Sequence, residues 1–148
     1  MQRQQIRESN QVGWADTVNN NATFDATWQK TEYGEFLISD LDLAYANGQC
    51  IIEQIMISGA AGQQPAEADK EAVEILISSA SSFAQDKIIG VFKGIYSAAL
   101  IDTNKRLCCF QPKCAVALDA NDAIYFTVKC PSGDALTADN AVITVSQS

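Results

Sequence analysis

Hydrophobic and polar residues alternate along this chain in short runs, and no run has the spacing of an amphipathic helix longer than a turn or two. Alternation over four to eight residues is typical of a half-buried β-strand. AIYFTVKC (123–130) is the clearest case, with Ile124, Phe126 and Val128 on one face. Further strands are predicted at GEFLIS (34–39), CIIEQIMIS (50–58), VEILIS (73–78), IIGVFKGIY (88–96), RLCCFQPKCAVAL (106–118, interrupted at Pro112) and AVITVS (141–146).

Turn signals separate these runs. Asn47-Gly48 is a strong hairpin signal because both residues tolerate positive φ, and GAAG (59–62) is predicted to close the strand before it. Many short strands joined by short turns predict an all-β protein. We therefore expect a single antiparallel β-sandwich of the jelly-roll type over residues 34–148, preceded by an extended polar arm over residues 1–33.

The arm is poor in aliphatic side chains and rich in Gln and Asn, a composition that cannot order itself alone. Three aromatic residues interrupt it like anchors: Trp14, Phe24 and Trp28. Two interpretations stay open, an arm packed on its own domain and an arm that reaches a neighbouring subunit. If the arm reaches a neighbouring subunit, these three residues are the predicted partner-binding residues, and one face of the sheet is a further predicted contact surface.

Two similar segments near the end, LDANDA (118–123) and LTADNA (136–141), raise the question of a metal site. Calcium needs six to eight oxygen ligands from a compact loop, and the candidates are Asp119, Asp122, Asp134 and Asp139. If the strands that follow are consecutive and antiparallel, the two segments lie at opposite ends of the domain and cannot share an ion. Asx residues also start turns without glycine. We therefore predict two turns that each begin a strand, and no metal ligands.

Charge and composition narrow the function. A net charge of −8 and the absence of any basic stripe make nucleic acid and anionic membranes poor partners. The chain has no histidine, which removes the commonest general base and metal ligand. The carboxylates are scattered or lie in a polar loop, so we expect no catalytic residues, no cofactor and no enzymatic activity. No apolar stretch approaches the ~20 residues of a membrane helix.

Five cysteines occur without a Cys-x-x-Cys unit: Cys50, Cys108, Cys109, Cys114 and Cys130. If Cys108 and Cys109 lie on a strand, they point to opposite faces. The simplest interpretation is small buried hydrophobic residues in a reduced compartment. The first residues lack the apolar core of a secretory signal, so folding in the cytoplasm is expected.

A carbohydrate- or receptor-binding β-sandwich is the alternative function. Such modules stack sugars on exposed aromatic rings, and the candidates are Trp14, Trp28, Tyr33, Tyr45, Tyr96 and Tyr125. Aromatic residues make up only 8% of the chain, and both tryptophans lie in the arm rather than on the predicted sheets.

The pattern of strands and turns in the second half of the chain resembles that of the small virion proteins of tailed bacteriophages. The matching stretches are the KIIGV strand (87–91), the Asx-rich turn with its following strand (118–128), and the final threonine-containing turn and strand (136–145). The resemblance implies a jelly roll or related β-sandwich that decorates or cements a phage head. It further implies a homo-oligomer, commonly a trimer, that binds the lattice of the major capsid protein, is made in the host cytoplasm and resides in the virion.

Overall fold

The computed structural model describes residues 8–13, 23–24, 28, 32–41, 43, 48–61, 72–98, 105–118, 122–130 and 136–147. Their strands are β1 (Glu8–Gly13), β2 (Thr23–Phe24), β3 (Gly34–Leu37), β4 (Gln49–Ala61), β5 (Ala72–Ser78), β6 (Ile88–Ala98), β7 (Lys105–Phe110), β8 (Cys114–Ala117), β9 (Ala123–Lys129) and β10 (Leu136–Gln147). Short 3₁₀ turns lie at Ile38–Leu41 and Gln85–Lys87, and this part of the chain has no α-helix. It accordingly contains no helix long and apolar enough to cross a membrane.

The prediction of an all-β, antiparallel protein is confirmed, because every strand pair in the described residues is antiparallel. The sheet order is β1-β10-β4-β7-β6-β5-β9-β3, with β2 added to β10 and β8 added to β4. Within this order the pairing is nested along the chain. β1 pairs with β10, β3 with β9, β4 with β7, and β5 with β6.

The sheet is curled into a half-barrel. β10 and β9 stand five places apart in the sheet order, which would separate them by about 24 Å if the sheet were flat. Nevertheless Phe24, on the strand added to β10, contacts Phe126 on β9 with ring centroids 6.2 Å apart. Only a strongly curled sheet brings these strands together, and the inner face of the curl is the core.

The inner face is built from the alternating apolar positions that the sequence predicts. Ile124, Phe126 and Val128 are fully buried, and the Phe126 ring stacks on Phe36 at 5.2 Å between centroids. Burying a Val, Ile or Phe side chain contributes roughly 1.5–3 kcal/mol. The inward-facing core also includes Ile52, Ile55, Ile57, Val73, Ile75, Ile77, Cys108, Phe110, Ala141, Ile143 and Val145.

The predicted interruption at Pro112 is confirmed and separates β7 from β8. Both strands pair with β4, β7 opposite residues 55–60 and β8 opposite residues 49–52. Between them Lys113 takes a positive φ of 54°. Its backbone N–H donates to the Ile52 carbonyl oxygen at 2.8 Å, and its ammonium lies 3.4 Å from the Glu53 carboxylate. One long strand is thereby bent without being lost from the sheet.

The prediction for the segment LTADNA was wrong. Residues 136–141 do not precede the last strand but belong to β10, whose register against β4 shifts between Ala138 and Asn140. Such a shift is a β-bulge, because β10 has one more residue than β4 between these two pairs. The GAAG segment is likewise part of β4 as far as Ala61. β9 and β10 are not neighbours, but because direction alternates around the sheet they still run oppositely.

Two stretches of the predicted arm lie in this same sheet. β1 pairs with β10 over six residues, from Glu8 opposite Gln147 to Gly13 opposite Val142. β2 continues along β10, with Phe24 opposite Leu136. The predicted arm, residues 1–33, therefore contributes two strands to the sheet of the predicted domain, residues 34–148.

Candidate functional site

The structure places two of the three predicted partner-binding residues and separates them. Trp14 lies outside the described residues. Phe24 is fully buried against the inner face of β9. Trp28 is half-buried on the outer face of β9, where its ring lies 5.3 Å from the Lys129 ammonium. Phe24 and Trp28 thus contact opposite faces of one strand and do not form one surface, and the partner-binding role of the three residues stays a prediction.

Trp28 and residues 32–33 cover part of the outer face of β9. The Thr127 hydroxyl donates to the Glu32 carbonyl oxygen at 2.8 Å, and Thr127 is fully buried. Lys129, the next outward residue of β9, lies 3.0 Å from the Glu74 carboxylate on β5 and also faces the Trp28 ring. The cation–π contact and the ion pair hold Trp28 to the sheet from outside.

Tyr33, one of these covering residues, forms an aromatic group with Phe83 and Tyr125. The Tyr33 ring meets Phe83 edge-on at 6.0 Å and Tyr125 edge-on at 5.9 Å. Phe83 is buried although its φ is +52°, a conformation that costs a bulky residue about 1–3 kcal/mol. The neighbouring turn is held by Ser78, whose Oγ accepts the Ala80 N–H at 3.1 Å and donates to the Ala80 carbonyl oxygen at 2.9 Å.

Glu35 lies beside this group, opposite Tyr125 in the β3–β9 ladder. Its side chain is buried, and burial raises the pKa of the carboxyl group above its usual value because the charged form is desolvated. Burial also raises the pKa of Tyr125, with smaller contributions from Glu35, Tyr33 and Asp122. The surroundings of Glu35 and Tyr125 therefore disfavour a negative charge on either side chain.

We expect Glu35→Gln to stabilise the protein at pH 7 and to have little effect at pH 4. A carboxyl group whose pKa is raised by folding favours the folded state while protonated, and this contribution is lost as the pH rises through the folded-state pKa. The neutral amide avoids that loss. We expect a rise in Tm of about 2 °C at pH 7, which corresponds to a gain of less than about 1 kcal/mol in the free energy of unfolding for a chain of this size. Thermal unfolding from pH 4 to 8 checks it, and a variant that loses stability as the pH rises relative to wild type would contradict it.

All five cysteines are free thiols, and Cys108 and Cys109 face opposite sides of β7 as predicted, Cys108 being fully buried and Cys109 partly exposed. A hydrogen bond to Cys130, together with burial, raises the pKa of Cys108 well above its usual value. Burial and the neighbouring Cys114 raise the pKa of Cys50 to about 11. Burial also raises the pKa of Cys109 and of Cys114. Because the thiolate is the nucleophile, these four side chains are weak nucleophiles at neutral pH.

Of the four acidic positions considered for calcium, the structure describes the side chain of Asp122 alone. No group of three or more Cys, Asp and Glu side chains that could hold a metal ion is found among the described residues. Asp122 is exposed at the start of β9. The side chains of Asp119, Asp134 and Asp139 lie outside the described set.

The outer surface of the sheet carries a row of apolar side chains that the sequence interpretation did not single out. Val142, Met56, Cys109 and Ile95 stand directly opposite one another on β10, β4, β7 and β6. We call these four residues the outer apolar row. Ile95 is 64% exposed and Met56 37%. The alternation in β6 was the available signal, because it places Val91, Lys93 and Ile95 on the face opposite Gly90, Phe92 and Gly94.

Comparison with known proteins adds no assignment to this geometry. Neither a protein-family model nor a curated protein sequence matches the chain.

Proposed function

We propose that this protein is a structural virion protein, a capsid decoration or cement protein that self-associates and binds the lattice of a major capsid protein without catalysis. In this proposal it is a homotrimer, is made in the host cytoplasm and resides in the virion. The observation that carries the proposal is the nested strand pairing. The resemblance of the strand and turn pattern in residues 87–145 to small virion proteins of tailed bacteriophages agrees with it.

The nested order supports a jelly-roll connectivity. Eight strands that pair first with last, second with next-to-last, and so on inward, form a long antiparallel hairpin, and rolling that hairpin up produces two facing sheets. Here the two sheets would be β1-β10-β4-β7 and β3-β9-β5-β6, joined along the β6–β7 ladder. The kinked strand β8 extends β7 along β4. We accordingly propose that the curled sheet is a jelly-roll sandwich, an architecture used by viral capsid and lectin domains.

The chemistry of the described side chains supports a binding role rather than a catalytic one. The thiols with raised pKa values are weak nucleophiles, and the Glu74 carboxylate is engaged by Lys129 at 3.0 Å. The exposed apolar residues of β4 and β6 offer a contact surface instead.

Co-sedimentation with capsids that lack this protein tests the proposal. We expect saturable binding in a fixed ratio to the capsid subunit, and the same capsids should withstand heat or low salt better once coated. Trp28→Ala is an informative companion variant, because Trp28 is a predicted partner-binding residue and is only half-buried. A purified, folded protein that stays in the supernatant with every such capsid would refute the capsid assignment.

The glycan-binding alternative is supported by the same topology, because lectins also use the jelly roll. Tyr33 and Tyr125 are the described tyrosines with side chains partly open to solvent. They pack edge-on against each other at 5.9 Å, which favours mutual packing over a flat sugar platform. A reproducible hit on a glycan array that Tyr125→Ala abolishes, without change in the circular dichroism spectrum, would favour this alternative.

A further inference from the structure

The three large hydrophobic residues that are exposed among the described residues all lie on the outer face of the sheet. Met56 is 37% exposed, Val91 50% and Ile95 64%. Single exposed hydrophobic residues are ordinary on a protein surface, but these are not scattered. Met56 and Ile95 flank Cys109 in the outer apolar row, and Val91 lies on the same face of β6 as Ile95.

The register makes this surface continuous. Directly opposite side chains on neighbouring antiparallel strands stand about 4.5–5.5 Å apart. The row from Val142 through Met56 and Cys109 to Ile95 therefore crosses four strands without a charged side chain. The described residues contain no α-helix that could cover this stripe, and a contiguous exposed apolar stripe is a candidate docking surface.

The charges beside the row are unlike those of the chain as a whole. Lys93 lies between Val91 and Ile95 and stands opposite Glu74, which stands in turn opposite Lys129. Two lysines thus surround one glutamate, and Glu74 is already ion-paired with Lys129 at 3.0 Å. Because the whole chain carries a net charge of −8, the rest of its surface is more acidic still.

Exposed carboxylates lie at another part of the fold. Asp40 and Asp122 are both exposed at the β3–β9 edge of the sheet, where the Ile38 N–H donates to the Asp122 carbonyl oxygen at 2.9 Å. Among the described residues Glu74 is ion-paired with Lys129 rather than with Lys93, and the exposed carboxylates of a second copy offer Lys93 a complementary charge. A two-fold contact centred on the row would instead bring Lys93 near its own copy. Head-to-tail contacts avoid this and close into rings when the rotation permits.

We propose that the outer apolar row, with Val91 and Lys93, docks on the acidic β3–β9 edge of a second copy of this chain in a head-to-tail contact. The proposal rests on the self-association included in the proposed function and names its surface. The apolar side chains supply the buried area, and Lys93 facing Asp122 sets the orientation.

Light scattering on the full chain across protein concentrations tests the contact, with the wild type expected at a multiple of 16.0 kDa. Ile95→Asp is expected to weaken association about tenfold or more. Gln49→Glu makes an equal charge change at an exposed residue at the start of β4, outside both proposed contact surfaces, and should leave association unchanged. Unaltered circular dichroism spectra and melting temperatures establish that each variant is folded.

A charge exchange tests the orientation. Lys93→Glu and Asp122→Lys should each weaken association, most strongly at low salt, whereas an equimolar mixture of the two variants should form mixed assemblies through the restored pairs. An oligomer whose mass none of these substitutions changes would overturn the assigned surface while self-association stands. A wild-type chain that is monomeric at every concentration would overturn both, and capsid co-sedimentation would then decide the rest of the proposed function separately.

Discussion

Replacing Gly59 with alanine is expected to lower the free energy of unfolding by about 3 kcal/mol or more, which corresponds to a fall in Tm of roughly 10 °C. Gly59 pairs with Ala138, next to the bulge in β10. A Cβ atom at this position would overlap the Thr137 carbonyl oxygen and would lie 2.7 Å from the Ala138 Cα atom. These atoms belong to the backbone of the partner strand, so relief requires β10 to move away from β4.

Gly90→Ala is the matched control for this prediction. Its Cβ would meet only the ring of Phe92, at 2.6 Å from Cζ, and a side chain can rotate away. We expect a cost of about 1 kcal/mol, similar to that of an off-rotamer side chain. Chemical denaturation of both variants, with circular dichroism as the signal, makes the comparison. Equal stability of the two variants would mean that the β4–β10 backbones are not held as closely as described.

Phe24→Ala is expected to destabilise the protein by about 3–5 kcal/mol, the range for removing a fully buried aromatic side chain. The Phe24 ring is inaccessible to solvent, and it contacts Phe126 within the core. A loss of this size is a large share of the 5–15 kcal/mol that stabilises an ordinary domain. If so, the segment around residue 24 is required for folding, and a chain that begins at residue 34 should not fold.

Trp28→Ala is the companion variant from the same part of the sequence. Trp28 is half-buried and contacts Lys129 through a cation–π interaction, so its removal should cost only about 1 kcal/mol. Urea unfolding of both variants separates the two roles. A Phe24→Ala protein as stable as the wild type would restore the interpretation of an independent arm that docks elsewhere.

Most strands could be predicted because each of them depends on its own residues. The alternation of AIYFTVKC places Ile124, Phe126 and Val128 inside, and β9 is found at Ala123–Lys129. Pro112 cannot donate to a ladder, so the interruption between β7 and β8 was readable as well. In these cases the local pattern and the tertiary structure agree.

There is a physical reason why the bulge in β10 could not be predicted from the sequence. A bulge forms where one strand carries an extra residue opposite its partner, so it depends on the pairing of two strands and not on the residues of one segment alone. LTADNA is a bulged strand because Gly59 of β4 lets the two backbones approach at Ala138. LDANDA stands between β8 and β9 in the sequence, and its residues 119–121 lie outside the described part of the chain, so the turn predicted there stays a prediction.

The candidate surface was predictable only in part. The sequence predicts that one face of the sheet contacts a partner, but its local patterns do not indicate which strands are neighbours. The outer apolar row depends on β10, β4, β7 and β6 lying side by side, and these strands are distant in sequence. The aromatic group of Tyr33, Phe83 and Tyr125 depends on such distant contacts too.

The nested pairing also governs when the protein can fold during its synthesis. β10 lies between β1 and β4 and bonds to both, and the Gln147 side-chain amide reaches the Gln49 carbonyl oxygen at 3.3 Å. Domains dominated by such distant pairings fold slowly, typically in milliseconds to seconds. While the ribosome still holds residues 136–147, the facing edges of β1 and β4 have no partner strand. The sheet can therefore close only after residues 136–147 have left the ribosome, and a stop codon before them would release a chain with open sheet edges that is prone to aggregate.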